Sequence, residues 1–312
     1  MKKEVVETVQ KTEYPSESLK RVEDERLIFW KSYKTHNTLK LVVLFVCLAI
    51  VILAWALLPN IIKDNDKLQR GLSFGVTIVA LAGTYAYSVF VKRKFSNKMR
   101  DYFDLYFNAI NEYVFDKGSY RDVELQKPGK ITLEEFNESN LYKDVIESGS
   151  RGLTTFKFND IDLSIVDCAG NIKAEKRMKP VFVGKMVRAK ASYKGEDPVI
   201  VYLKGNDRAL PPTNVEEIKN VLEDQKMVVY SNYKNWKKVL NAGVMKALDA
   251  IKTDKILVDV AISISKEKVF VMMGYDDPLM ILPLQNEFDY KPTDIYKKDI
   301  LAVSKLIEEL NK

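Results

Sequence analysis

The residues of this chain that could carry chemistry are a small set of carboxylates near position 160. Asp160 and Asp162 are two residues apart, so on a strand their side chains share one face, and Asp167 follows closely. Carboxylate oxygens are the ligands that Ca²⁺ and Mg²⁺ prefer in proteins. The pattern makes Asp160, Asp162 and Asp167 a candidate divalent-metal site. The alternative interpretation is the solvent-facing side of a half-buried strand.

Two other segments have a functional and a structural interpretation. Asp276 and Asp277, followed by Pro278, could be catalytic carboxylates, but Gly-Tyr-Asp-Asp-Pro is also an ordinary turn sequence. The predicted helix around Trp236 carries several lysines beside an apolar stripe. It could contact anionic lipid or RNA, or lie on a sheet with its lysines in water.

The composition excludes much standard enzyme chemistry. His36 is the one histidine, and the two cysteines, Cys47 and Cys168, lie far apart in the sequence. A Ser-His-Asp triad, a multi-histidine zinc site and a disulfide framework therefore cannot be built from this chain alone. We predict no catalytic residue and no cofactor, and an enzyme is the less favoured class. The net charge of +6 is modest, and lysine far outnumbers arginine, so we predict no nucleic-acid partner.

Two long apolar runs near the N-terminus predict a transmembrane hairpin. Residues 41–58 are 18 consecutive apolar residues, and residues 72–91 are 20 residues without a charge. Each run can cross the roughly 30 Å hydrocarbon core as a helix at about 1.5 Å per residue. In the second run small and weakly polar residues recur on one helix face, which indicates a helix–helix seam or a polar track for a solute. These residues are Ser73, Thr77, Ala80, Thr84 and Ser88.

The distribution of basic residues predicts the orientation of the hairpin. Eight lysines and arginines flank the outer ends of the two runs, and three lie in the connecting loop. Since basic residues favour the cytoplasmic side, we expect both termini in the cytoplasm of a bacterial cell and a multi-pass protein of the cell membrane. The expected segments are a partly helical N-terminal segment at 1–38, the hairpin at 39–91, a juxtamembrane helix at 92–118 and a cytoplasmic domain at 119–312.

The juxtamembrane helix carries an aromatic stripe that needs a partner surface. Its side chains recur at helical spacing and form one apolar face. We expect this stripe to pack against the helix around residues 19–30 of the same chain or against another subunit. The candidate partner-binding residues are Phe95, Met99, Tyr102, Tyr106 and Ile110.

The remaining sequence predicts an α+β domain with a mostly antiparallel mixed sheet. Alternating apolar residues indicate strands, and 3.6-residue periodicity indicates helices, in an irregular order that does not fit a doubly wound parallel fold. Strands are expected at 161–165, 181–191, 199–203, 227–230, 256–264 and 269–273, and helices at 133–147, 213–223, 233–251 and 294–310.

Several short patterns between about Lys179 and the C-terminus resemble a bacterial membrane-protein family of unknown function. They are Phe182-Val183-Gly184 at the head of a strand and Leu222-Glu223-Asp224 before Val229-Tyr230-Ser231. The resemblance implies two N-terminal transmembrane helices, a cytoplasmic α+β domain and genes that often lie beside those for LemA proteins. Residues 225–227 and Leu240-Asn241-Ala242 depart from the family pattern. The resemblance implies an architecture and no active site.

The leading functional prediction is a membrane-anchored interaction or scaffold protein. We expect its cytoplasmic α+β domain to bind a protein partner, either another membrane or envelope protein or a second copy of the chain. A metal-dependent enzyme using the three aspartates and a module that senses the lipid surface are the two alternatives.

Overall fold

The structure, a computed structural model, describes residues 13–62, 65–126, 130–175, 177–204, 217–253, 256–276 and 284–312. These residues form two compact units. The first unit contains the described residues up to Ile110 together with residues 284–289. The second unit contains the described residues between 111 and 276 and between 290 and 312.

Two long helices make up most of the first unit. Helix α1 spans Glu17–Ile61, and helix α2 spans Asp66–Val114, of which the last turn belongs to the second unit. The Oγ atom of Ser16 caps α1 by accepting a hydrogen bond from the Leu19 N–H at 3.2 Å. In each helix the apolar run and the adjoining polar segment form one continuous helix. In α1 this is possible because neither glycine nor proline occurs between the cap and Pro59.

Both helices are long and apolar enough to cross a membrane. Their most apolar 18-residue windows have mean hydropathies of 3.2 and 1.7, and only 0% and 6% of these windows are buried. The core helix of a soluble protein would bury its apolar side chains. Here large side chains such as Phe45 and Val79 are 66% and 72% exposed, which in water would leave an extensive apolar surface uncovered.

The small-residue face of the second apolar run lies against α1. The Trp55 Nε1–H donates a hydrogen bond to Thr77 Oγ1 at 3.2 Å, and the Trp55 ring packs edge-on against Phe74. Ser73 is buried, and the other four residues of the predicted seam are half-buried, whereas most of the remaining run is exposed. This arrangement favours the interpretation as a helix–helix seam over that of a solute track.

The second unit is built on one nine-stranded sheet whose described strand pairs are all antiparallel. The prediction of an α+β fold is therefore confirmed. The strand order is β1-β2-β3-β4-β9-β8-β5-β7-β6. The strands are β1 Arg121–Gln126, β2 Val145–Phe158, β3 Ile161–Ala174, β4 Arg177–Lys190, β5 Val199–Leu203, β6 Asn220–Glu223, β7 Met227–Ser231, β8 Leu257–Ser265 and β9 Lys268–Tyr275. The helices are α3 Leu133–Asn137, α4 Trp236–Val239, α5 Ala242–Ala250 and α6 Lys291–Leu310.

Three of the predicted helices differ from the structure. The helix expected at 133–147 ends at Asn137, and its last residues belong to β2. The helix expected at 233–251 is divided into α4 and α5, because the Asn241 side chain accepts a hydrogen bond from the Val244 N–H and starts a new helix. The last residues of the helix expected at 213–223 form β6, and residues 213–216 lie outside the described part of the chain.

The two faces of the sheet are covered by different elements. Side chains alternate along each strand, so Phe182, Met186 and Arg188 of β4 point to one face, and Lys185 and Val187 point to the other. The first face packs on Phe136 of α3 and the chain that follows it. The second face packs on α6, whose Tyr296 ring lies beneath the Lys185 ammonium. Ile165 of β3 and Ile262 of β8 belong to the core of the sheet and are 2% and 1% exposed.

Candidate functional site

A polar trough crosses β2, β3, β4 and β9 on the face of the sheet that carries α3. It encloses about 540 Å³ and is open to solvent. The strand register places its side chains in two rows across the strands, because residues paired across strands point to the same face. One row is Thr155, Ser164, Arg188 and Phe270, and the other is Lys157, Asp162, Lys190 and Lys268.

Carboxylates at the rim hold three of the four cations of the trough in place. Asp122 of β1 pairs with Lys157 at 2.9 Å, Glu135 of α3 pairs with Arg188 at 2.8 Å, and Glu138 pairs with Lys268. The hydrogen bond from Lys157 lowers the pKa of Asp122. Among the described residues the Lys190 ammonium makes no ion pair, and the residue is exposed. With Asp162 and the three rim carboxylates, the trough has as many carboxylates as cations, so it can receive an extended polar segment.

Glu135 links α3 to the trough. Its carboxylate accepts a hydrogen bond from the Thr132 N–H at 2.7 Å, while Thr132 Oγ1 accepts one from the Glu135 N–H, so the two residues form a capping box. The backbone hydrogen bond from Thr132, followed by the hydrogen bond from Arg188, lowers the pKa of Glu135. The pair between Glu135 and Arg188 thus holds α3 at the edge of the trough.

The opposite face of the sheet contains a buried ion pair. Lys185 is 5% exposed, pairs with Asp167, and places its Nζ 4.3 Å from the centroid of the Tyr296 ring. Both members of the pair line a cavity of about 290 Å³. Burial raises the pKa of Cys168, which also lines this cavity, to about 12, so its sulfur stays a thiol at neutral pH.

The three aspartates of the predicted metal site are not brought together. Asp160 lies in the turn before β3, at φ 65°, and pairs with Arg121 at 2.8 Å. Asp162 lies in the trough, whereas Asp167 is five residues further along β3 and points to the opposite face. Within the described ranges, no group of three His, Cys, Asp or Glu residues is placed to hold a metal ion. The metal site stays a sequence-based prediction without support from this geometry.

The aromatic stripe predicted to bind a partner is covered within the first unit. Phe95, Tyr102 and Tyr106 are 5%, 5% and 2% exposed. The ring of Phe29 in α1 packs edge-on against Phe95 and stacks on Tyr102. Ile110 is also buried, and Met99 is half-buried. The structure thus contains the first of the two predicted arrangements, packing against the 19–30 helix, and association with another subunit stays a prediction.

A bidentate ion pair that the sequence analysis missed lies beside this stripe. Arg26 donates from Nε and Nη2 to the two carboxylate oxygens of Glu23, at 2.7 and 2.6 Å, and their side chains are 5% and 11% exposed. Arg26 falls four residues after Val22 and three before Phe29, both buried. A charged residue inside an apolar stripe is the signal that could have identified the pair, because such a charge needs a partner.

The other two candidate segments remain without a defined role. Lys237 places its Nζ 5.6 Å from the Trp236 ring centroid in the short helix α4. This is a surface contact and does not by itself distinguish lipid binding from a solvated helix. Asp276 donates its backbone N–H to the Ile256 carbonyl, and residues 277 and 278 lie outside the described part of the chain.

No protein-family model matches the chain, and no curated protein matches it. Among solved structures, the mycobacterial trehalose monomycolate transport factor A is similar over 64% of this chain and 90% of that chain, at 9% sequence identity and a TM-score of 0.40. A TM-score below 0.5 does not establish a common fold, so nothing about this chain follows from the match. The class of protein is therefore defined by two membrane-competent helices and an antiparallel α+β domain.

Proposed function

We propose that this chain is a membrane-anchored interaction protein whose α+β domain binds a protein partner. The anchor is the hairpin of α1 and α2, whose apolar windows are almost entirely exposed and would be stable only in a lipid environment. The excess of basic residues at the outer ends of the hairpin supports cytoplasmic termini. A partner in the membrane or the cell envelope, or a second copy of the chain, fits this location.

The observation that supports partner binding is the open polar trough on the sheet. Rim carboxylates hold three of its four cations in ion pairs, so these side chains are already positioned before a partner binds. Two parallel rows of side chains across antiparallel strands fit an extended chain. Lys190, which makes no salt bridge among the described residues, can pair with an acidic residue of such a segment.

The experiment is photo-crosslinking from within the trough. A benzophenone amino acid replaces Thr155 in the full-length protein, and native membranes are irradiated. We expect a discrete cross-linked product whose yield falls at least fivefold when Lys190→Glu reverses a charge elsewhere in the same trough. Lys305→Glu is the matched control, because Lys305 is an exposed lysine on α6 outside the trough. A product unaffected by Lys190→Glu, or no product at all, would contradict the proposal.

The two alternative functions have no observation of their own in their favour. A metal-dependent enzyme needs Asp160, Asp162 and Asp167 to converge, and they point in different directions. A lipid-sensing module would need an apolar face on the Trp236 helix that is free to enter a bilayer, whereas Val244 and Leu248 of the adjoining α5 are buried in the domain.

A further inference from the structure

Residues 284–289 lie between β9 and α6 in sequence, yet they pack with α1 and α2 in the first unit. We call this segment the strap. Arg26 Nη1 donates to the carbonyl oxygens of Leu284 and Gln285 at 3.2 and 3.4 Å. Glu23 Oε2 accepts a hydrogen bond from the Phe288 N–H at 3.0 Å. Both members of the buried ion pair of α1 thus form hydrogen bonds with the backbone of the strap.

The strap contacts both helices of the pair. Phe288 is 3% exposed; its ring stacks on Tyr14, just before α1, and packs edge-on against Tyr106 of α2 at 5.8 Å between centroids. Leu284 packs on the cluster of Phe29 in α1 and Phe95 in α2. The hydrogen bonds of Arg26 and Glu23, which we call the clamp, are therefore made by α1. The apolar contacts of the strap are made by both α1 and α2. A shift of one helix along or away from the other would separate parts of the binding site.

The strap buries fewer apolar side chains than the strands of the sheet, although the Tyr14 hydroxyl also donates to the Phe288 carbonyl at 3.2 Å. Phe288 is its one buried side chain, Leu284 is half-buried, and Gln285, Asn286, Glu287 and Asp289 are exposed. Segments with few buried apolar contacts open at lower free energy than the core of a domain. In contrast, β8 and β9 are almost completely buried. The strap can thus detach while the sheet stays folded.

We propose that the strap is a conformational latch that responds to the packing of the two membrane-anchored helices. The strap docks when α1 and α2 are packed against each other through Phe29 and Phe95. When the two helices move apart, the strap detaches before the sheet opens. Because the strap continues directly into Tyr290, the N-cap of α6, its docking constrains the start of that helix. An event at the membrane that changes the helix pair would in this way reach the α+β domain. This inference does not depend on partner binding at the trough.

The test is hydrogen exchange of the Phe288 amide in the full-length protein in detergent or lipid nanodiscs, with fragmentation to single-amide resolution. Arg26→Gln removes the clamp, and Tyr33→Ser weakens the helix pair, because the Tyr33 ring packs edge-on against Phe95 and no described contact joins Tyr33 to the strap. We expect exchange of the Phe288 amide to accelerate at least tenfold in Arg26→Gln and at least threefold in Tyr33→Ser. The amides of β8 and β9 should change less than twofold.

The control is Arg21→Gln, which alters an exposed arginine of the same helix and should leave the exchange unchanged. If the exchange rates of the Phe288 amide and of the sheet amides rise by the same factor, the strap opens only together with the whole fold and is not a latch. If Tyr33→Ser leaves the Phe288 amide unchanged, the strap does not respond to the helix pair, and the proposal is overturned. Photo-crosslinking at the trough is measured separately, so that either proposal can fail alone.

Discussion

Removing Asp167 should expose how strongly the buried Lys185 depends on its counter-ion. The Lys185 side chain is 6% exposed and that of Asp167 is 23% exposed. In an Asp167→Asn variant the ammonium would keep its contact with Tyr296 but lose the carboxylate. Both residues line a cavity of about 290 Å³, and the Lys185 side chain itself is almost completely buried. The charge would be poorly solvated, and the folded state would be destabilised.

The expected loss of stability follows from the exposed fractions of the Lys185 and Asp167 side chains. Breaking a fully buried ion pair by removing one partner costs about 3–5 kcal/mol. Because Asp167 is partly exposed, water compensates in part, and we expect about 2–3 kcal/mol for Asp167→Asn. Lys185→Met preserves the packing on Tyr296 and leaves a carboxylate that can turn towards water, so about 1 kcal/mol is expected. The double variant should lie within about 1 kcal/mol of the wild type, since no uncompensated charge remains.

The assay is native-state hydrogen exchange of β4 and β9 in the full-length protein, which reports the opening free energy of the sheet. The four proteins form a double-mutant cycle. The two single variants together cost about 3–4 kcal/mol and the double variant is close to the wild type, so the expected coupling is about 3–4 kcal/mol. Lys157 and Asp122 are the control pair, with exposed side chains at 40% and 69%, and the same cycle there should give no measurable coupling. If the Asp167–Lys185 coupling is as small as in this control, the reasoning from burial is refuted.

Three further predictions concern topology, packing and pH. A cysteine at Asn65, in a protein with Cys47→Ser, should react with an impermeant maleimide on intact cells, and protection there would reverse the proposed orientation. Gly184→Ala should destabilise the sheet by about 2–4 kcal/mol, because the added Cβ atom would lie 2.0 Å from a backbone carbonyl oxygen of β9. Gly149→Ala is the control: its Cβ atom would have no heavy atom within 4 Å, so the variant should be close to neutral in the same exchange assay. The pKa of Glu135 is lowered in the folded state, so its stabilisation is present above the ordinary value of 4.5 and is lost as the pH falls through the folded pKa. Glu135→Gln should therefore flatten the acid side of the stability profile, and an unchanged profile would contradict this.

The sequence was sufficient to predict the parts of the protein that depend on local patterns. A run of 18 apolar residues forms a membrane-competent helix whatever the rest of the chain does, because the signal is hydropathy over a short window. Strand β5 is at the predicted residues, and β8 and β9 begin and end within two residues of prediction, because the alternation of apolar residues is strong there. The antiparallel α+β class followed from the same patterns.

The tertiary structure alone decided which side chains meet. Asp162 and Asp167 belong to one strand, but they separate to opposite faces, one into the trough and one beside Lys185. The aromatic stripe of α2 is covered by Phe29 and by a strap that comes from more than 180 residues later in the chain, from between β9 and α6. Such contacts depend on strand register and on the closure of long loops, and neither leaves a periodic signal in the sequence. Local hydropathy therefore determined the two membrane-competent helices and the class of the domain, whereas long-range packing determined the trough, the Lys185–Asp167 pair and the position of the strap.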